Sequence, residues 1–101
     1  MFIYNSTTKV DPSIHDAWVA WMKETHIPAM MESDCFTDFQ FVRILELDDS
    51  DGPTYAVQFK ASSKANYNRY LQVYTNKLRN DSFIQWGNKV IGFRSLMQVV
   101  H

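Results

Sequence analysis

Residues 2–10, FIYNSTTKV, mix aromatic, β-branched and hydroxyl side chains in the manner of a strand. Immediately afterwards the apolar period lengthens. Ile14, Trp18, Trp21 and Met22 recur at i, i+4, i+7 and i+8 and form one helical face, with Lys23 and Glu24 outside it. Asp11 offers an N-cap, with Pro12 at the first helical position where its missing N–H costs nothing. Ser13 with Asp16 is an alternative capping pair one register later. Pro28 disfavours helical backbone at Ile27 and cannot donate to the carbonyl of Glu24. The helix is therefore predicted to stop or kink at His26-Ile27, with a second short turn through Met30 and Met31.

Residues 36–47 are rich in β-branched and aromatic side chains and predict a second strand. DDSDGP at 48–53 is dense turn chemistry. In 54–61, Tyr55, Val57, Phe59 and Ala61 alternate with Thr54, Ala56, Gln58 and Lys60, a third strand that pairs with the second as an antiparallel hairpin. Ser62 or Ser63 caps the next helix, which carries Tyr67, Tyr70, Leu71, Tyr74 and Leu78 at helical spacing. Helical turns continue through Phe83 and Trp86 to a stop at Gly87, and 89–100 closes the chain as a strand. The order β-α-β-β-α-β predicts an α+β, ferredoxin-like fold: a four-stranded antiparallel sheet with both helices on one face, in a single domain over 1–101.

Composition narrows the class. With 46% apolar and 15% aromatic residues, and only three Gly and three Pro, disorder is excluded. So many aromatics in a small chain favour a partner surface or an enclosed pocket. The net charge of −1 and the lack of a basic block argue against nucleic-acid binding. Cys35 stands alone, and no residues have metal-ligand spacing, so no metal or other cofactor is expected. The N-terminus is not a signal peptide, and no apolar run approaches a membrane span, which points to a reduced, cytoplasmic setting without membrane contact.

Strand parity then exposes a second face. If Tyr4, Tyr55, Val57 and Phe59 meet the helices, then Ile3, Asn5, Thr7, Lys9, Ala56, Gln58 and Lys60 face away. In the last strand, apolar content assigns Ile91, Phe93, Met97 and Val99 to the helices. Val90, Gly92, Arg94, Leu96 and Gln98 are then left open. Such a mixed face is what a second subunit would cover, so a homodimer through the sheet is expected.

The segments IYN (3–5), IHDAWVAWMKETHIP (14–28), YAVQF (55–59) and GFRS (92–95) resemble, with matching spacing over essentially the whole chain, a small bacterial family known as a domain of unknown function, family 4286. The His-x-Pro helix ending is also similar to the wider dimeric α+β-barrel superfamily, in which two ferredoxin-like subunits press their sheets together. The resemblance implies fold and dimerisation. It leaves activity open, because that superfamily includes cofactor-independent monooxygenases, isomerases, haem-handling proteins and ligand binders. The chain departs from the family at Ser6 and Thr8, where members carry aliphatic residues.

Arg94 with Asn5 and Gln58 is the constellation with most chemical content, since a guanidinium beside two amides can hold a carboxylate or enolate oxygen. The plainer reading is a polar network across the dimer interface, with an acidic partner such as Glu46. His26 is a candidate base, against which stands a simple cap on an interrupted helix. Trp18 and Trp21 suit either a pocket wall or the core, and the hydroxyls of Tyr67, Tyr70 and Tyr74 are expected to reach water. His15 reads as exposed, Cys35 as inert, and Asp48, Asp49 and Asp51 as a solvated turn lacking calcium-loop spacing. Arg43 interrupts the apolar alternation, by a bulge or by entering the interface. Together these predict a homodimer that binds a small, partly apolar molecule between helices and sheet. The alternatives are a cofactor-independent oxygenase or isomerase acting on an aromatic or enolisable substrate, and an interaction dimer without a ligand.

Overall fold

The computed structural model describes residues 1–101. Strands β1 (Phe2–Val10), β2 (Asp38–Arg43), β3 (Thr54–Ala61) and β4 (Val90–Gln98) form one antiparallel sheet in the order β2-β3-β1-β4. The predicted split β-α-β arrangement is borne out. β2 is shorter than expected: Phe36 is buried ahead of the strand, and pairing with β3 ends where the Ile44 N–H donates to the Thr54 carbonyl.

Two helical rods lie on one face. The first runs from a 3-10 turn (Pro12–Ile14) through α1 (His15–Trp21) and a π turn (Met22–His26) into α2 (Ile27–Glu32). Asp11 caps its start by accepting from the Ser13 N–H at 2.8 Å. Of the expected stop or kink at His26-Ile27, the stop does not occur; the helix is distorted there by the π turn and goes on. The Ile27 N–H bonds back to the Met22 carbonyl, five residues earlier, and the rod continues through Pro28. The widened turn takes up the proline without ending the helix.

The second rod repeats the device without a proline: α3 (Lys64–Arg69), a π turn (Tyr70–Tyr74) and α4 (Thr75–Trp86). Ser63 caps it through the Asn66 N–H, and Gly87, at φ +57°, ends it. No helix is long and apolar enough to cross a membrane.

The core lies between rods and sheet. Tyr4 sits at its centre, 5.3 Å from Tyr70, 5.7 Å from Tyr67 and 6.2 Å from Phe36, ring centre to ring centre. Phe59, Met30, Val10 and Cys35 are almost fully enclosed around it. Tyr70 is only 2% exposed, so its hydroxyl does not reach water as expected.

Register fixes which side chains face the rods. Tyr4 opposes Phe59 and Ser6 opposes Val57, as the alternation predicted. β4 is reversed relative to the expectation. Ser6 opposes Arg94, Thr8 opposes Gly92 and Val10 opposes Val90, so this set faces the rods. Ile91, Phe93, Met97 and Val99 lie on the open face, 74, 62, 36 and 42% exposed. Apolar content misleads here because β4 is an edge strand, and its inward side borders unfilled space.

Arg43 needs no bulge. It opposes Tyr55 in register, lies 5.9 Å from that ring's centre and pairs with Asp49 at 2.8 Å. Asp51 pairs with Lys9 at 3.4 Å.

Candidate functional site

A cavity of about 350 Å³ opens between the rods and the β1–β4 side of the sheet. Its floor is the inward face of the strands: Tyr4, Ser6 and Thr8 from β1, and Gly92 and Arg94 from β4. The first rod supplies an apolar wall of Trp18, Met22 and Met30, and beside it Trp21 and His26. The second rod contributes Tyr70, Leu78, Arg79, Ser82 and Phe83. Both π turns border the space, through Met22 and His26 in one rod and Tyr70 in the other. Such turns are over-represented at functional sites because they re-aim side chains without breaking the helix.

The polar lining has one sign of formal charge. Arg79 and Arg94 line the cavity, no carboxylate does, and neither arginine makes a salt bridge. Ser6, Thr8 and Ser82 add hydroxyls. The result is a pocket with an apolar wall and a polar, electropositive side.

His26 is half-buried and makes no side-chain hydrogen bond, so it is not the helix cap that an interrupted rod would have needed. Its ring stacks on Trp21 with centres 5.0 Å apart and planes 21° from parallel. Burial, reinforced by the positive charge of Arg94 and opposed by Asp81, pulls its pKa down to about 4. The imidazole is therefore neutral at pH 7, with one nitrogen able to accept a proton. Tyr70 is shifted upward, chiefly by burial, and stays protonated.

The six residues singled out in the sequence divide in two. Trp18, Trp21, His26 and Arg94 meet at the cavity. Trp18 is also core, with its ring centre 5.4 Å from that of Tyr55 and 5.8 Å from that of Phe41. Asn5 and Gln58 oppose each other in register on the open face, where the Asn5 amide donates to Thr7 Oγ1 at 3.0 Å. The expected Arg94–Asn5–Gln58 trio therefore does not exist, because the reversed facing of β4 puts Arg94 on the other side of the sheet.

Arg79 and Ser82 join the site without a distinguishing pattern in the sequence. Ser6 and Thr8 do carry a signal in the sequence: two hydroxyls in phase with the buried Tyr4 mark an inward face that is not closed by packing. His15, expected to be exposed, lies 2.6 Å from the Tyr55 hydroxyl. Cys35 is buried beside Ser33.

Solved structures of similar shape share the fold at low identity. A dimeric ferredoxin-like protein from an uncultured marine organism superposes with a TM-score of 0.77 at 12% identity, over 99% of this chain and 95% of that one. An antibiotic biosynthesis monooxygenase gives 0.68 at 12% identity, over the full length of both chains. A dimeric ferredoxin-like protein of unknown function from Jannaschia sp. CCS1 gives 0.59 at 13% identity, over 98% of this chain and 100% of that one. No curated protein matches the sequence significantly. Residues 1–100 match the family described as domain of unknown function 4286, and the chain belongs to that family.

Proposed function

We propose that this member of the family binds a small anion with an apolar or aromatic body, seated between helices and sheet. The observation that carries the reading is a cavity of ligand size lined by two unpaired arginines and no carboxylate. Arg94 would hold the charged end, with Ser6 and Thr8 as hydroxyl partners, while Trp18, Met22 and Met30 would face the body of the ligand. Because Arg79 and Arg94 are exposed, water screens part of their attraction, and micromolar rather than nanomolar affinity is expected.

The test is calorimetric titration with 1-naphthoate, an aromatic carboxylate of suitable size. R94M should weaken binding by about 10- to 100-fold, the range for losing a charge-assisted hydrogen bond. Unchanged affinity in R94M would sink the assignment.

His26 in the same cavity supports a second reading, a cofactor-independent isomerase or oxygenase. In the isomerase form, His26 would take a proton from the carbon beside a carbonyl, the electrons would move onto that oxygen next to Arg94, and the proton would return at another carbon. A solved structure of like shape is an antibiotic biosynthesis monooxygenase, which is compatible with this chemistry on the same fold. H26Q separates the readings: a binder keeps its ligand, whereas an enzyme keeps binding and loses turnover.

The open face supports a homodimer. Ile91, Phe93, Met97 and Val99 make the edge of that face largely apolar, with Ile3 beside Met97, Asn5 beside Ser95 and Gln58 one strand further across. Four strands about 4.8 Å apart and up to about 30 Å long offer roughly 600 Å² in projection, near the size of one side of a standard interface. Two of the similar structures are described as dimeric. Native mass spectrometry should show a dimer, and F93D should weaken it at least tenfold by placing a charge on that edge. A wild-type monomer at micromolar concentration would remove the proposal. A bare dimer that also ignores naphthoate would favour an interaction role.

A further inference from the structure

His26 belongs to two compartments. With Trp21 and Leu78, which likewise line both spaces, it borders the inner cavity on one side. On the other it borders a groove of about 280 Å³ between the rods, which carries Thr25, Asp81 and Gln85. The two sides have opposite charge: Arg79 and Arg94 within, Asp81 without. Stacking on Trp21 occupies a face of the imidazole and leaves its nitrogens, which lie in the ring plane, free of side-chain partners.

We propose that His26 is a proton port, so that an anion entering the inner cavity is bound together with one proton, taken up on the imidazole from the outer groove past Asp81. The inference rests on reading the cavity as an anion site, and it makes the ligand class a weak acid, held as anion plus proton.

The surrounding charges give the direction. Arg94 on β4 and Arg79 on the second rod line the inner side, with Tyr4 from β1 and Tyr70 from the second rod. Asp81, held by Lys77 at 2.8 Å, lines the outer side, and on its own rod His26 has Thr25 beside it and the exposed Lys23 and Glu24 nearby. In the free protein, burial and Arg94 outweigh Asp81, and the ring is neutral. An anion seated between Arg94 and the ring adds one negative charge, opposite in effect to the guanidinium. A unit charge within about 4 Å in a partly buried site shifts a pKa by about three units. That is enough to bring an imidazole at about 4 close to neutrality.

The experiment is isothermal titration of the full chain with 1-naphthoate at pH 6.5, in Bis-Tris and in imidazole buffers, whose ionisation heats differ, with chloride held constant. Wild type should take up between half and one proton per naphthoate, read from the difference in apparent enthalpy. D81N should take up less than half a proton and bind several-fold more weakly. H26Q should bind with no proton uptake and with affinity independent of pH between 5.5 and 7.5. Equal enthalpies in the two buffers, with naphthoate bound, would overturn the proton port and leave the anion site standing. Absence of binding would overturn the anion site, and the port with it. Proton uptake that persists in H26Q would assign the proton elsewhere and likewise overturn the inference.

Discussion

Lowering the pH from 6.5 to 4 should remove about 3 kcal/mol of folding stability, and H26Q should lose almost none over the same window. The unfolded chain carries an ordinary histidine that begins to protonate near pH 6.5, whereas the native ring resists protonation until about pH 4. Between those values the unfolded state binds more protons than the native state, so stability falls as pH falls. The native ring resists first because burial disfavours the cation and second because Arg94 repels it, with Asp81 pulling the other way. Carboxylates act in a different window. Asp11, held low by hydrogen bonds from Ser13, and Asp48, held low by hydrogen bonds from Ser50, lose their stabilising effect only at and below the ordinary range near 3.8. Urea denaturation at pH 6.5 and 4 measures the effect, and an equal loss in H26Q would show that another group carries it. In R94M the loss should be smaller, since one of the two forces on the ring is gone.

Legibility in the sequence followed how many constraints each segment carried. β1 and β3 were readable to the level of facing, because Tyr4 and Phe59 are large aromatics that must be buried and the period of two did the rest. β4 carried apolar residues in both phases, Val90 and Leu96 in one and Ile91, Phe93 and Met97 in the other. Assigning the more apolar phase to the core assumed that the core is the only apolar destination. In this molecule the sheet's back is apolar beside an edge strand, while the inward phase holds Arg94 over a cavity. The facing of β4 alone decides whether Arg94 meets the open face or the cavity that His26 lines.

The first rod shows a different limit. Pro28 removes a donor and crowds the preceding turn, and both effects are local. Whether a helix responds by ending or by inserting one residue as a π turn depends on packing that local sequence does not contain. Here Met22, Ile27 and Met30 are buried on either side of the wide turn, so ending the helix would have exposed them. The consequence is functional, because continuity of the rod places His26 against the cavity.

Replacing Gly52 by alanine should cost about 3–5 kcal/mol and lower the Tm by roughly 15–25 °C. The sequence identifies Gly52 as a turn residue, but a turn alone does not explain so large an effect. Its φ of +124° is unfavourable for any residue with a Cβ. More important, that Cβ would lie 1.9 Å from the Val10 carbonyl oxygen and 2.9 Å from its carbon, backbone that cannot turn aside as a side chain would. Val10 is fixed there: it is fully buried, its N–H donates to the Pro53 carbonyl at 2.9 Å, and it faces Val90 in the ladder. Next in sequence, Asp11 caps the first rod and donates its own N–H to the Lys89 carbonyl at 2.9 Å. Relief of the clash would thus pull on the junction that sets β1, β4 and the first rod relative to one another, and these are the elements that bring Ser6, Arg94 and His26 to one cavity. The neighbouring D51A removes only an exposed ion pair with Lys9 and should cost no more than about 1 kcal/mol. Thermal melts of the two variants make the comparison, and a G52A variant as stable as D51A would mean that the hairpin turn and Val10 are not in the contact described.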